Sequence, residues 1–276
     1  MKLERAYADF AVKLSRKGFS LDTIKKYIQA IKKIYEVCWK TDDNRTTLSC
    51  REIENYIYSN KKRSDWTKRV VAVQIRAFLK FCSTLWLEVI NYWQITIKKY
   101  NQKEARYLKE KEEIKMLEKL EFEDLKLKAA ILLMLTTGAR ISEACSITKQ
   151  QLKGAEEVWW LFQIPIQWKW GNTRALFLPP KTFEIFSKIA EKHKKRQVLW
   201  VESKHIQKLI KNFSENINIK FSAHTLRHTY LTKLAKKGAE LYKIQKIAGH
   251  KCIITTSRYL HACNKELAET AKLLLN

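Results

Sequence analysis

Four short stretches hold residue types that could act together chemically: Thr137-Gly138-Ala139-Arg140-Ile141-Ser142-Glu143, His224-Thr225-Leu226-Arg227-His228, Ala248-Gly249-His250 and Arg258-Tyr259-Leu260-His261. They offer arginines, histidines and a tyrosine, a set suited to attack on a phosphodiester without metal. A phosphodiester under attack becomes pentacoordinate and gathers negative charge on its non-bridging oxygens, which guanidinium groups neutralise through directed, paired hydrogen bonds. Arg140 and Arg227 are the candidates for that role. Glu143 follows Arg140 by one helical turn, close enough both to pair with its guanidinium and to orient it. His224 precedes Arg227 by three residues, so a helix containing both projects them from one face. Tyr259 is the candidate nucleophile; its phenol, with a reference pKa of about 10, needs nearby cations or a base to lose a proton at neutral pH. Tyr230 and Tyr242 compete, but both lie in amphipathic stretches where core packing accounts for them, and His228 reads as structural. The set reads as an enzyme that cuts and rejoins DNA.

Such residues need a scaffold that brings them together. The first hundred residues carry a helical repeat: Phe10, Leu14 and Leu21, then Ile24, Ile28, Ile31, Ile34 and Tyr35, then Ile53, Tyr56 and Ile57, then Val70, Val73, Ile75, Ala77, Phe78 and Phe81. The spacing predicts an all-helical bundle. Between the apolar positions stand Lys25, Lys32, Lys61, Lys62, Arg63, Lys68 and Arg69, which as a set suggest a DNA-facing side. The periodicity lapses around Lys98 to Arg106, so a linker over 101–107 is expected between a helical domain, 1–100, and a second domain, 108–276. In that second half Leu125 to Thr136 reads as a buried helix stopped at Thr137-Gly138. Val158 to Ile164 and Arg174 to Leu178 read as strands, with Gly171-Asn172 as the turn between them. Thr182 to Lys195, Lys204 to Phe213, Leu226 to Lys237 and Leu241 to Ala248 read as helices, and a short amphipathic tail helix is expected from about residue 262. The expected fold is mainly α with a small β-sheet: an N-terminal all-helical domain followed by a mixed α/β domain.

Composition narrows the partners. A formal net charge of +26 over 276 residues favours a polyanion over a small neutral substrate. Both halves share the bias, since residues 1–100 hold 21 Lys and Arg against 10 Asp and Glu. Each could therefore grip phosphate independently. No apolar run approaches the length of a membrane span, and the opening Met1-Lys2-Leu3-Glu4-Arg5 has no apolar signal core, so a cytoplasmic location is expected. The six cysteines form no Cys-x-x-Cys pair, which fits free thiols in a reducing compartment, and no tight His/Cys pair has metal-site spacing.

These separated motifs resemble, in order and spacing, those of the tyrosine recombinase (phage integrase) family, and within it the compact Xer-like members. The run Ile247-Ala248-Gly249-His250 followed by Thr255-Thr256-Ser257-Arg258-Tyr259-Leu260-His261 is the specific part. The similarity covers about Tyr107 to His261 and, in the first half, only the general helical character. It implies a helical core-binding domain joined to a catalytic domain as a C-shaped clamp on duplex DNA. It makes His224 a proton-transfer or phosphate-binding partner, His250 a further hydrogen-bond donor to the phosphate, and Tyr259 the bearer of a 3′-phosphotyrosyl intermediate. Because bond energy is held in that link, neither ATP nor metal is implied, and no cofactor. A hairpin lysine supplies the leaving 5′-oxygen with a proton in this family; Lys169 is the match, with Lys153 as the alternative, and Arg174 beyond it joins the expected DNA contacts. The resemblance also implies a homotetramer on paired sites, coupled through the C-terminal helix. Two other readings stand beside a recombinase: a non-catalytic DNA-binding protein derived from one, and an enzyme of the type IB topoisomerase kind.

Overall fold

The computed structural model describes residues 2–38, 41–42, 45–46, 49–85, 91–99, 105–167, 173–257 and 259. The chain separates into two compact units, Met1–Gln102 and Lys103–Asn276.

In the first unit α1 (Lys2–Arg16), α2 (Leu21–Cys38), α3 (Cys50–Tyr58) and α4 (Asp65–Ser83) are followed by a single 3-10 turn at Tyr92–Gln94. Two apolar clusters hold them. Ala6, Phe10, Leu14, Ile24, Ile31, Phe78 and Phe81 form one, and Ile34, Ile53, Ile57, Ala72, Ile75, Leu79 and Ile95 form the other. Both draw on α2 and α4, so these two helices are the spine of the unit. Ser49 begins α3 with a capping box closed by Glu52, and Ser64 caps α4 through the backbone N–H of Thr67. Leu21, counted above among the apolar repeat, is exposed because it opens α2 ahead of the first inward turn. A ladder of two-residue strands, β1 (Thr41–Asp42) and β2 (Arg45–Thr46), joins the helices, too short for a periodicity to register.

The second unit is built around α6 (Leu125–Thr137), whose Leu127, Ala129, Ala130, Ile131, Leu133 and Met134 are all buried. A helix apolar on nearly every side must be enclosed by others. Around it lie α5 (Glu110–Leu120), α7 (Ile141–Ser146), α8 (Lys149–Lys153), α9 (Pro180–Glu191), α10 (Ser203–Asn216), α11 (Ala223–Lys236), α12 (Leu241–Ala248) and α13 (Ile253–Ser257). Asp124 caps α6 at its start, and Gly138 ends it in the left-handed region at φ 66°. Tyr107, read above as linker, packs under Lys236 of α11, and the Leu108 N–H donates to Thr229 Oγ1 at 2.8 Å.

Three antiparallel strands, β3 (Glu156–Val158), β4 (Leu161–Gln167) and β5 (Thr173–Leu178), form a meander in the order β3-β4-β5. The run from Val158 to Ile164, read above as one strand, is broken after its first residue. Val158 pairs with Leu161 across a two-residue turn made of Trp159 and Trp160, at φ 51° and 58°. That turn carries no glycine or asparagine to announce it. The helix expected to reach Lys195 stops at Glu191, and His193 beyond it turns its ring to the carbonyl of Val198. No helix among the described residues is long and apolar enough to cross a membrane.

Candidate active site

Two helix ends and one helix face create a buried cationic centre in the second unit. Arg227 lies on α11 and is 4% exposed. Its Nη1 donates to the carbonyl of Gly138, at the end of α6, and its Nη2 to the carbonyl of Ala248, at the end of α12, both at 2.5 Å. Carbonyls at a helix C-terminus have no partner within the helix and carry the negative end of its dipole, so two such ends are well matched to a guanidinium. Burial, with Arg140 and Arg174 nearby, pulls the Arg227 pKa down to about 10, while Glu143 and the Tyr259 phenol act to raise it. The side chain remains a cation at neutral pH.

Arg140 is the N-cap of α7. Its backbone N–H donates to Glu143 Oε2 at 2.6 Å, its Nη1 to Glu143 Oε1 at 3.0 Å and its Nη2 to the carbonyl of Gly249 at 3.1 Å. Glu143 is buried and also binds Arg174 of β5, Nη2 to Oε2 at 2.6 Å. Burial pushes the Glu143 carboxyl up, but Arg174, the Arg140 N–H and the Arg140 guanidinium together outweigh it and hold the group below its usual range. One carboxylate thus fixes two guanidinium groups. The side chain of Arg174 is 8% exposed, and its Nε and Nη1 have no hydrogen-bond partner among the described residues. Gly249, at φ 61°, lets these groups approach: a Cβ there would stand 3.2 Å from Arg174 Cδ and 3.5 Å from Arg140 Nη1.

His250 follows that glycine. Its Nε2 faces Arg227 Nη2 at 3.1 Å and its Nδ1 faces Thr256 Oγ1 at 2.9 Å. Arginine can only donate, so Nε2 accepts and the ring proton sits on Nδ1. In this arrangement His250 braces Arg227, whereas the sequence reading has it donating to phosphate. Tyr259 follows α13 and is 4% exposed, with its ring parallel to that of His250 at 6.4 Å between centroids. Leu231, Ala235, Ile244 and Ala248 share its apolar cluster. Its hydroxyl lies 2.7 Å from Nδ1 of His228. His228, taken above as structural, therefore touches the candidate nucleophile. The signal for it was present in the chain: His224 and His228 are four residues apart on one helix, and their rings are 6.5 Å apart.

The sequence signature described as "Phage integrase family" matches residues 106–266. The chain belongs to the phage integrase family. Among its relatives is the tyrosine recombinase XerC of Staphylococcus aureus strain JH9, 27% identical over 91% of this chain and 89% of that protein. Among solved structures it is similar to the XerH site-specific recombinase bound to palindromic difH substrate, with a TM-score of 0.72 and 19% identity over 93% of this chain and 81% of that one. It is likewise similar to a lambda integrase fragment dimer bound to a COC′ core site, with a TM-score of 0.72 and 16% identity over 92% of this chain and 94% of that one. The fold class anticipated from sequence is that of these structures, and the chain is an enzyme of the tyrosine recombinase class.

Of the site residues this family membership draws attention to, the structure brings Arg140, Glu143, Arg227, His250 and Tyr259 together. His224 is exposed in the first turn of α11. Lys169 lies outside the described residues, as does the tail helix expected from about residue 262; Lys153 is exposed on α8. Arg174, grouped above with DNA contacts, is buried against Glu143. In the first unit Lys25, Lys32, Lys61 and Lys62 are exposed. Arg63 instead stacks over the Tyr56 ring at 4.7 Å, Lys68 pairs with Asp65 at 3.8 Å, and Arg69 donates to the carbonyl of Lys98 at 2.7 Å.

Proposed function

We propose that this recombinase cleaves and rejoins DNA at a specific site through a 3′-phosphotyrosyl intermediate on Tyr259. The observation that carries the reading is the delivery of the Tyr259 hydroxyl, from the same chain, into the neighbourhood of the buried Arg227. Arg140 and Arg227 neutralise the phosphate in flight, and Arg174, with two buried donors unused among the described residues, adds a third guanidinium. Glu143 fixes Arg140 and Arg174 relative to each other. His224 stands beside the phosphate, and His250 holds Arg227 in place for it. The Tyr259 oxygen bonds to phosphorus, the bond to the 5′-oxygen breaks, and Lys169 protonates the leaving oxygen. A 5′-hydroxyl from another strand reverses the step, and the energy kept in the phosphotyrosyl bond makes ATP unnecessary.

In this reading residues 1–100 form the core-binding domain, 101–107 the linker and 108–276 the catalytic domain. Lys25, Lys32, Lys61 and Lys62 meet the DNA backbone, with Arg63, Lys68 and Arg69 beside them. The protein works in the cytoplasm as a homotetramer on two sites, coupled by the tail helix.

The test is covalent capture. Purified protein is incubated with a randomised pool of nicked duplexes and resolved on a denaturing gel. A protein–DNA adduct that disappears in Tyr259→Phe, with duplex binding retained, is the expected result, and sequencing the captured DNA identifies the site. Tight binding without adduct would instead mean a non-catalytic DNA-binding protein. Relaxation of supercoiled plasmid lacking any captured site would mean a topoisomerase.

A further inference from the structure

His228 occupies a position that the cationic centre does not require. Next to Arg227 on α11 and half-buried, it sets Nδ1 2.7 Å from the Tyr259 hydroxyl, with 5.7 Å between ring centroids. That distance is at the short end for a hydrogen bond between such atoms. A buried hydroxyl needs some partner, and many side chains could supply one. An imidazole differs from most of them in that it can also keep the proton near neutral pH.

We infer that His228 is the base that takes the phenolic proton of Tyr259 during strand cleavage and returns it on rejoining. The inference rests on the reading above that Tyr259 is the nucleophile. In the forward direction the Tyr259 O–H bond breaks and the proton passes to the lone pair on Nδ1. The electron pair left on oxygen forms the bond to phosphorus, the bond from phosphorus to the 5′-oxygen breaks, and that oxygen receives its proton from a separate acid. In reverse, the imidazolium returns its proton to the tyrosine oxygen as the phosphotyrosyl bond breaks. The cycle begins with Nδ1 unprotonated and Nε2 bearing the ring proton.

The surroundings tie this transfer to the arrival of DNA. Arg227 is adjacent in sequence, His224 lies one turn earlier on α11, and His250, at the end of α12, stacks beyond the Tyr259 ring. Arg140 and Arg174, both paired with Glu143, are also close to Arg227, so the guanidinium groups that would seat a phosphodiester begin one residue from His228. A phosphodiester seated there, gaining negative charge as it is attacked, favours the imidazolium that forms as His228 takes the proton. The base becomes competent when its substrate is in place.

The experiment uses the full-length protein and a single nicked duplex that the wild type captures covalently from the randomised pool. His228→Asn keeps an amide oxygen able to accept the phenol's hydrogen bond but unable to take its proton; His228→Ala keeps neither. The expected result is that both variants bind the duplex as the wild type does and form adduct about 100-fold more slowly or worse. Added imidazole restores His228→Ala. A second duplex, with sulfur replacing the bridging 5′-oxygen, needs no acid for its leaving group and leaves both variants slow. Adduct formation by His228→Asn within about threefold of wild type would overturn the inference, as would rescue of that variant by the sulfur duplex. Should His228→Ala fail to fold, His228→Asn alone decides. A wild type that never forms adduct would refute the recombinase reading itself, an outcome separate from a fast His228→Asn.

Discussion

A guanidinium taken out of water loses solvation that only protein groups can replace. Arg227 recovers it from two backbone carbonyls and an imidazole. A lysine could not reproduce that contact pattern, because its one nitrogen has neither the planar fork nor the reach. Glu143 does the corresponding work for Arg140 and Arg174, and its protonation sets a pH limit. A carboxyl held below its usual range stabilises the fold above the unfolded-state pKa, about 4.3, and that stabilisation is lost as pH falls through the lower folded value. Glu143→Gln should therefore cost about 3–5 kcal/mol at pH 7, by stranding two guanidinium groups at a buried site. In urea titrations the gap between wild type and variant should close as pH drops below about 4; a gap of constant size would disprove the assignment. The pairing of Arg140 with Glu143 was legible in the chain because helical spacing puts them side by side. The entry of Arg174 was not, since tertiary packing brings it in from a strand; His228 stood one turn after His224 in the chain, but its contact with Tyr259 is made only by packing.

At the scale of elements, the helices that position the site announced themselves well. The apolar run of α6 with a glycine behind it, and Ala248-Gly249 at the end of α12, are composition and capping signals that act locally. The turn between β3 and β4 was hidden for the opposite reason. Trp159 and Trp160 look like strand residues, yet they take a left-handed turn that ordinarily selects asparagine and glycine, and they stand 87% and 74% exposed. Neither burial nor local preference explains them, and each residue costs on the order of 1 kcal/mol in that conformation. Replacing the pair with Asn-Gly should stabilise the second unit by about 1–2 kcal/mol, read as a higher urea midpoint at unchanged slope. A lower midpoint would mean that the tryptophans pack on something that the turn itself does not reveal.

For the molecule as a whole, charge is the dominant property. A net +26 spread over both units predicts phosphate contact as the main source of duplex affinity, with counterion release as its signature. Duplex binding measured by gel shift should fall by about 10³-fold or more between 50 and 200 mM salt, and by the same factor for Tyr259→Phe, which removes no charge. A salt-insensitive affinity would mean that the basic surface does not carry binding. Charge could be counted from the sequence, whereas telling exposed cations from those engaged within the protein, such as Arg63 over the Tyr56 ring and Arg69 on the Lys98 carbonyl, required tertiary structure. The anchoring of Arg227 also bears on the birth of the protein. The carbonyls that hold it belong to residues 89 positions before it and 21 after it along the chain. A nascent polypeptide possesses the cations early and the tyrosine late, but not the arrangement. Those anchors are complete only once Ala248 has been made, so a copy stalled short of that residue holds Arg227 without the contacts that place it.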